Sequence, residues 1–554
     1  MNFGLAVPKY VNKGQTYDFY FGLAIISSYL KKYGYNVFCL NPNHYDTTLE
    51  NQLEEFIIKN KIDVLCTGGM SVHYSEINKM LEISKKIKPE IITIVGGAII
   101  TSNPKVACWG IKHIDYGIIG EGEETIIELA DALINNKNIE TIRGLSFFNK
   151  ENEYILTYDR IPISDLNSIP FPDYEGFEYG TFIKLFYPSE SKYFSILDNV
   201  RIGFIMASRS CPFACTFCYH HPLSKYRQRS IDNIFEEIDY LKDKYNVNYL
   251  YITDELFSFD KKRIYEFASR IKPYKMKWWT NFRVPDVDKE VLEALKDSGV
   301  FMISYGIESI NDKILKSMKK HITKEQIENA LKLTYEAKLN IQGNIILGDI
   351  DETEETSKES IDWLNAHPEY GINLVMIRTF PFSNIYQHAI SKKLIKDEFD
   401  HMKNKFPLIN LTKMSDKKYL ELCVYVENHN SELQNYLNAK VISTKIISKT
   451  EYGKNIYSMR VECPSCHKII EYNNMVQKTF KTYFVNICKY CYGNIRMENI
   501  KAYNKNYNLY DKFMMFIVKF VRENVNKRWI VRFAYSTMKK LRNRNLIMVS
   551  DKYI

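Results

Sequence analysis

Three cysteines within eight residues have the spacing of iron–sulfur cluster ligands. They lie in Cys211-Pro-Phe-Ala-Cys215-Thr-Phe-Cys218, just after the apolar, strand-like stretch 202–207. A cluster of four irons takes one ligand on each iron, so three cysteines leave one iron free. The spacing therefore indicates a cluster whose open iron can hold a substrate or cofactor and take part in chemistry.

The same three thiols leave a second interpretation open, a structural zinc site. His220 or His221 follows the last cysteine at once and could complete a Cys3His tetrahedron, which zinc accepts. Structural zinc sites usually take their ligands from two separated loops, whereas these residues share one. The sequence therefore favours iron over zinc.

The first 140 residues predict a Rossmann-like domain. Short apolar runs alternate with amphipathic stretches, which is the pattern of a parallel, doubly wound α/β sheet. No G-x-G-x-x-G follows the first strand, which disfavours a nicotinamide cofactor. Glycines stand at the carboxyl ends of three predicted strands, where they could admit a large planar ligand or simply make tight turns. These glycines are Gly68, Gly69, Gly96, Gly97, Gly120 and Gly122.

From residue 201 to about 380, six strand-and-helix units predict a partial (β/α)6 TIM-type barrel. Active sites of such barrels lie at the carboxyl ends of the strands, and the cysteine run falls at that end of the first strand. Charged or polar residues end the next three strands. They are Asp254 and Glu255, then Asn281 and Arg283, then Glu308.

The cysteine run, with Phe217 directly before its last cysteine, resembles the signature loop of the radical S-adenosylmethionine (SAM) superfamily. The domain order, together with Val95-Gly-Gly-Ala98 and the stretch 117–124, is similar to the subfamily that carries a cobalamin-binding domain. The resemblance covers residues 1 to about 380. The D-x-H-x-x-G motif of cobalamin mutases is absent after the first strand, as it is in many radical members of the family.

The resemblance implies a [4Fe–4S] cluster, SAM and cobalamin as cofactors. The cluster would cleave SAM to a 5′-deoxyadenosyl radical that takes hydrogen from a substrate, for methyl transfer to carbon, ring formation or rearrangement. An electron donor such as flavodoxin or ferredoxin would be needed. By the same resemblance, the acidic pair Asp254 and Glu255 lies near the amino group of SAM, Arg283 near its carboxylate and Glu308 near its ribose; Phe217 and Asn281 complete the expected cofactor contacts.

A second cysteine group predicts a zinc ribbon. Cys463-Pro-Ser-Cys466 and Cys488-Lys-Tyr-Cys491 are two C-x2-C pairs separated by strand-like sequence. Two such pairs bring four thiolates to one tetrahedral zinc ion. The same ligands would also suit a second iron–sulfur cluster, so the ribbon cysteines leave that alternative open.

The composition of the chain limits the class of protein to which it can belong. The chain has 554 residues and 45% hydrophobic residues, with no apolar run near the about 20 residues that cross a bilayer. The start of the chain lacks the features of a secretory signal, and close-spaced cysteines suit a reducing compartment. We therefore expect a cytoplasmic protein, in which Cys39, Cys66, Cys108 and Cys423 are buried small side chains.

The net charge of +9 belongs to the tail 501–554, while the rest of the chain is about neutral. The tail places Phe513, Phe516 and Phe520 at helical spacing opposite lysines and arginines. Such a helix could dock on the protein's own core, lie on a membrane surface or, with the ribbon, contact nucleic acid. The sequence thus predicts the segments 1–140 (cobalamin-binding-like), 141–200 (linker), 201–380 (barrel), 381–455 (helical), 456–500 (ribbon) and 501–554 (basic tail).

Two other functions remain open at this point. One is a cobalamin-independent, RNA-modifying radical enzyme such as a methylthiotransferase, for which Cys39, Cys66 and Cys108 would have to supply a second cluster. Their placement does not match that family. The other is a non-catalytic sensor of cobalamin or SAM, which the intact cysteine run disfavours. The substrate cannot be derived from the sequence.

Overall fold

The computed structural model describes residues 1–188, 192–194, 196–219, 225–432, 436–476 and 483–498. The basic tail, His220 and His221 lie outside the described residues. Within the described part, none of the helices combines the length and apolar character needed to span a membrane.

The first sheet has seven strands, and five of them are parallel. Its strands are β1 (Asn2–Ala6), β2 (Asn36–Leu40), β3 (Val64–Gly68), β4 (Ile92–Gly96), β5 (Tyr116–Ile118), β6 (Leu145–Phe148) and β7 (Tyr154–Leu156). The helices of this part are α1 (Phe21–Lys32), α2 (Leu49–Lys59), α3 (Tyr74–Ile87), α4 (Ala98–Thr101), α5 (Pro104–Gly110) and α6 (Glu123–Asn135). The order β2-β1-β3-β4-β5-β6-β7 confirms the Rossmann-like prediction.

The segment 141–200, which we expected to be a linker, is built into the core. Strands β6 and β7 extend the first sheet in antiparallel pairing. Further on, a short helix α7 (Tyr179–Phe182) carries fully buried aromatic rings. The Tyr179 hydroxyl donates to the carbonyl of Ile202 in the next domain at 2.9 Å. Burying such rings removes a large apolar area from water, so the segment acts as an aromatic wedge that fixes the two domains together.

The second sheet has six strands in the order β15-β14-β13-β12-β11-β8, all parallel. These are β8 (Ile202–Ile205), β11 (Tyr249–Ile252), β12 (Lys277–Phe282), β13 (Val300–Glu308), β14 (Asn340–Leu347) and β15 (Asn373–Met376). A two-stranded ladder of β9 (Ser208–Arg209) and β10 (Arg227–Gln228) brackets the cysteine run. The connecting helices are α8 (Ile231–Tyr245), α9 (Lys261–Ile271), α10 (Lys289–Asp297), α11 (Asp312–Ser317), α12 (Lys324–Glu336) and α13 (Glu354–Ala366). This arrangement confirms the predicted partial barrel.

Strand β12 shows how the barrel separates its two faces. Trp278 is fully buried and packs its ring 5.0 Å from that of Phe267 on the outer helix α9. Since side chains alternate along a strand, Trp279 and Asn281 point to the opposite, inner face. The inner face is the surface that a bound substrate or cofactor can reach.

The third sheet is the ribbon, and it covers the amino ends of the barrel strands. It consists of β16 (Leu437–Lys449), β17 (Asn455–Glu462), β18 (Ile469–Val476), β19 (Tyr483–Ile487) and β20 (Asn494–Glu498), preceded by α14 (Asn384–Ser391), α15 (Glu398–Lys403) and α16 (Asp416–Glu432). Asn340, the first residue of β14, donates to the Tyr492 carbonyl at 2.7 Å. Strand β16 lies in the segment that we expected to be helical, because its pairing with β17 is a tertiary contact that local sequence does not reveal.

Candidate functional site

The cysteine run lies at the carboxyl end of β8, at the mouth of the barrel. Cys211 and Cys215 are half-buried, and Cys218 is exposed. The Thr216 amide donates to the Met318 carbonyl at 3.1 Å, and the Thr216 carbonyl accepts from the Ile385 amide at 3.1 Å. These two bonds anchor the loop to elements on the far side of the barrel while leaving the thiols open to the mouth.

Phe217 helps to anchor the same loop. Its ring packs against the apolar cluster formed by Ile314, Met318, Ile385 and neighbours. A cofactor contact by Phe217 stays a prediction, since the packing explains its aromatic character on its own.

The three loop sulfurs are too widely spread for one metal ion. Four sulfurs at about 2.3 Å from one zinc lie about 3.8 Å apart. Within the described residues, the four ribbon cysteines are the group whose ligand atoms all come within 4.8 Å of one another, and the loop cysteines form no such group. Their wider spacing suits ligands on three separate irons.

Glu255 and Arg283 lie beside the loop. Burial raises the pKa of the Cys211 and Cys218 thiols, and the nearby charge of Glu255 raises both further. The Arg283 guanidinium lies 3.7 Å from the centre of the Phe213 ring, inside the cysteine run, a cation–π contact. An acidic and a basic group thus flank the thiols at the barrel mouth.

Asp254 and Asn281 both make hydrogen bonds to the backbone at the barrel mouth. The Asp254 carboxylate is buried and accepts from the Ala207 amide at 2.6 Å and the Ser208 amide at 3.0 Å. Burial raises its pKa to about 6, although these bonds act in the opposite direction. Asn281 donates to the Asp254 carbonyl at 2.9 Å. Asp254 thus holds the turn that leads into the cysteine run, whereas the Glu255 side chain is exposed. The SAM contacts of both residues stay predictions.

Lys320, which was not among the residues predicted from the sequence, pairs with Glu308. The two side chains form an ion pair of 2.8 Å with 11% and 14% of their surface exposed. Burial raises the pKa of all three loop thiols, and the Lys320 ammonium opposes this at each of them. A β-carbon at Gly306 would lie 2.5 Å from Lys320 Nζ, so glycine makes room for the pair. In the sequence, the only sign of this ion pair was Gly306, which lies two residues before Glu308.

The predicted glycines of the first sheet divide into two groups. A β-carbon at Gly68 would lie 2.5 Å from the Gly96 carbonyl oxygen, and one at Gly97 would lie 2.8 Å from that of Gly69. These glycines permit close packing of two strand ends. A β-carbon at Gly120 would meet nothing within 4 Å, so that part of the carboxyl edge is open to a ligand.

The other three glycines follow the same division. Gly69 packs against the His73 ring, and Gly122 packs against Ile118 and Ile26, whereas Gly96 faces almost free space. The open edge of the sheet is therefore at Gly96 and Gly120.

A charged network fastens this glycine edge to the cysteine run. Glu121 and Glu123 follow β5, and Arg209 and Arg227 lie on β9 and β10 on either side of the run. Arg209 pairs with Glu123 at 2.5 Å and Arg227 with Glu121 at 2.6 Å. All four side chains are at most 16% exposed. In the sequence, both glutamates belong to the stretch 117–124, which is similar to cobalamin-binding domains, and nothing there indicated their pairing with the arginines.

Tyr219, directly after the cysteine run, lies near Thr101 at the end of α4. Burial raises the pKa of Tyr219 to about 12, and Thr101 opposes this shift. Thr101 Oγ1 in turn accepts from the Gly120 amide at 3.0 Å. The residue next to Cys218 is therefore close to the open edge of the first sheet.

The ribbon cysteines come together as predicted. Cys463 and Cys491 Sγ lie 3.8 Å apart, and Cys466 and Cys488 Sγ lie 3.7 Å apart. The two loops have matching backbone bonds, since the amides of His467 and of Tyr492 donate to the carbonyls of Cys463 and Cys488, each at 3.0 Å. These spacings fit one tetrahedral ion with four thiolates.

Comparison with known proteins agrees with this architecture. Residues 205–364 match the model of the radical SAM superfamily, and residues 16–130 match the B12 binding domain. The chain is 29% identical to an uncharacterised methyltransferase of Pyrococcus horikoshii over 57% of this chain and 66% of that protein. It is 27% identical to the anaerobic magnesium-protoporphyrin IX monomethyl ester cyclase of Rubrivivax gelatinosus over 68% of this chain and 67% of that protein. The chain thus spans about two thirds of each relative.

Solved structures share the fold. The radical SAM methyltransferase TsrM of Kitasatospora setae has a TM-score of 0.57 at 16% identity, covering 71% of this chain and 76% of that one. The cobalamin-dependent radical enzyme OxsB has a TM-score of 0.56 at 19% identity, covering 77% and 62%.

Residues 205–364 thus form a radical SAM domain, and residues 16–130 form a B12-binding domain directly ahead of it, which confirms the predicted resemblance.

Replacing Gly97 by alanine should destabilise the first sheet strongly. Gly97 has φ +86°, and the added β-carbon would lie 2.8 Å from a backbone oxygen. Gly34→Ala is the matched control, because Gly34 has φ +82° with open space around it and should cost only about 1–2 kcal/mol. Urea unfolding of both variants measures the difference; equal losses would contradict the packing argument.

Replacing Glu123 by glutamine should lower the stability by about 3–5 kcal/mol, since it leaves the buried Arg209 charge without its closest partner. Glu124→Gln is the control, because the Glu124 side chain is 48% exposed where it pairs with Arg160, and such pairs contribute about 0–1 kcal/mol. Thermal unfolding under anaerobic conditions measures both. A control as unstable as Glu123→Gln would show that the network does not hold the domains.

Proposed function

We propose that this chain is a cobalamin-dependent radical SAM enzyme, which transfers a methyl group to a carbon of its substrate or closes or rearranges a ring. One observation carries the proposal. The open three-thiol loop is fastened by the four-residue charged network to the glycine edge of a B12-binding domain.

The thiols of Cys211, Cys215 and Cys218 would hold a [4Fe–4S] cluster, and the edge at Gly96 and Gly120 would receive cobalamin. When bound, the reduced cluster and SAM supply a 5′-deoxyadenosyl radical that takes hydrogen from the substrate, and methylcobalamin supplies the methyl group. The open edge at Gly120 and the wide spacing of the loop sulfurs are the features that fit these groups.

The charged residues at the mouth would orient SAM. Glu255 is free to accept from its amino group, and Arg283 can donate to its carboxylate. The Glu308–Lys320 pair lies beside the thiols, where Glu308 can accept from a ribose hydroxyl and the charge of Lys320 favours the thiolate form of Cys215. Asp254 keeps the turn before the cysteine run in place.

The competing RNA-modifying function finds less support. Cys108 Sγ lies 2.8 Å from Ser146 Oγ, and Cys39 Sγ lies 3.3 Å from Ser27 Oγ. Cys39, Cys66 and Cys108 lie on β2, β3 and α5 of the first domain, and Cys66 and Cys108 are buried. These positions inside regular elements differ from the open loop that carries Cys211, Cys215 and Cys218.

We also propose one structural zinc ion on Cys463, Cys466, Cys488 and Cys491, with sulfur spacings that suit a single ion. A radical SAM enzyme needs a reductant, and a low-potential donor such as flavodoxin or ferredoxin would supply it.

Free thiols at two metal sites are consistent with the cytoplasm. The basic tail as a contact with a membrane surface remains a proposal from sequence.

Anaerobic reconstitution tests the enzyme proposal. The wild-type chain should take up about four irons at the loop, bind cobalamin and release 5′-deoxyadenosine from SAM. Cys215→Ala should abolish deoxyadenosine formation, because the cluster loses one of its three protein ligands. Cys423→Ala is the control, since Cys423 lies away from both metal sites on α16. A chain that binds zinc at the loop, or a Cys215→Ala variant that still forms deoxyadenosine, would refute the proposal.

Metal analysis tests which metal the ribbon cysteines bind. Cys466→Ser should lose one zinc per chain and unfold at lower temperature, because metal binding contributes to folding, while the iron content stays unchanged. Loss of several irons instead of one zinc would establish the second-cluster alternative.

A further inference from the structure

The loop between α11 and α12 lies directly against the cysteine run. Met318 in this loop accepts a hydrogen bond at its carbonyl from the Thr216 amide at 3.1 Å. The carbonyl oxygen of the next residue, Lys319, lies 3.9 Å from Cys215 Sγ. Lys320 follows at once, so its side chain starts from a backbone that is held beside the thiols.

The backbone on both sides of Lys320 is strained. Lys319 has φ +53° and His321 has φ +54°, in the left-handed region that residues other than glycine rarely adopt. Helix α11 ends here in a Schellman motif, since the Lys320 amide donates to the Leu315 carbonyl at 3.0 Å. Glycine is the usual residue at the position that Lys319 occupies. Other contacts of this loop must therefore offset the cost of its conformation.

Glu308, the partner of Lys320, is strained as well. It ends β13 with φ +64°. The pairing of β13 with β14 shifts its register between Tyr305 and Glu308, and such an irregularity changes the direction of a side chain. The Ser309 amide donates to the Ile307 carbonyl at 2.8 Å, which makes a tight turn around Glu308. Strained residues cluster at functional sites, where the surrounding structure holds them in place.

The ion pair fixes one oxygen of the Glu308 carboxylate and leaves the other available. Lys320 Nζ lies 2.8 Å from Oε1, and both side chains are mostly buried. A β-carbon at Gly306 would lie 2.5 Å from Nζ and 2.7 Å from Oε1, so the pair occupies the space beside this glycine. Among the described residues, none donates to Oε2, and this atom is not fully enclosed. One carboxylate oxygen can therefore accept a hydrogen bond from a ligand at the mouth.

We propose that Lys320 is a positioning residue, which holds Oε2 of Glu308 ready for a ribose hydroxyl of SAM. Without the ammonium, the carboxylate would rotate towards water or take up a proton, because a mostly buried carboxylate without a cation is costly. An acceptor that is fixed before the ligand arrives does not have to be ordered on binding. The inference rests on the proposed function, which makes SAM the ligand beside the three-thiol loop.

Two ligands that differ only in the ribose test the role of Lys320: SAM and its 2′,3′-dideoxyribose analogue. Their dissociation constants for the reconstituted full-length protein are measured by anaerobic calorimetry. The wild type should bind SAM about tenfold more tightly than the analogue, as expected for a hydrogen bond to a charged group. Lys320→Met should weaken SAM alone and reduce this ratio to about two or less. Lys320→Arg should restore most of the ratio, because it retains the cation.

Lys316→Met is the matched control, because Lys316 is an exposed residue of the same helix α11, and it should leave the ratio unchanged. Gly306→Ala is a second test that keeps the lysine. Its β-carbon would displace the ion pair, so it should lower the ratio as well. If Lys320→Met does not retain its iron, the ratio in Gly306→Ala decides the outcome.

Four results would overturn the inference. They are equal affinities of the wild type for the two ligands, equal weakening of both ligands in Lys320→Met, an unchanged ratio in Gly306→Ala, and loss of iron from both variants, which would show a purely structural role. Iron content and deoxyadenosine release are measured on the wild type as well. Their absence would count against the proposed function, whereas normal deoxyadenosine release with an unchanged ratio in the variants would count against the role of Lys320 alone.

Discussion

The ion pairs of Arg209 and Arg227 with Glu121 and Glu123 are the contacts on which the site depends. The cysteine run is a loop, and a loop alone cannot keep its thiols at a fixed place. The two arginines lie on either side of the run, and both glutamates follow directly from the open glycine edge. Removing these charges from water is costly unless each is well paired, so the network tolerates only one relative position of the two domains.

Two other parts of the molecule, the aromatic wedge and the ribbon, stabilise the domains away from the cysteine run. The aromatic wedge around Tyr179 fills the space between the two sheets. The ribbon closes the amino ends of the barrel strands through Asn340 and Lys277. Because the ribbon lies at the end opposite to the cysteine run, a metal ion bound there would serve stability rather than chemistry. The mouth is thereby left as the open end, facing the first sheet.

Local patterns in the sequence predicted the elements and the two cysteine groups, since apolar periodicity and cysteine spacing are local properties. They did not predict pairings between distant segments. The carboxylate of Asp254 could be recognised as lying at a strand end, but its use on the amides of Ala207 and Ser208 depends on how β8 and β11 align. Strand β16 was missed for the same reason, and so was Lys320, whose partner is twelve residues away around a helix.

The distribution of charge differs between the mouth of the barrel and its interior. At the mouth, Arg283, Lys320, Glu255 and Glu308 provide both signs of charge, as a zwitterionic ligand with a ribose requires. Deeper in the barrel, Asn281, Ser304 and Gln342 lie opposite one another on β12, β13 and β14, so this part of the inner face is polar without a charge. Under the proposed function, SAM would therefore gain charge-assisted hydrogen bonds beside the thiols that the interior does not offer.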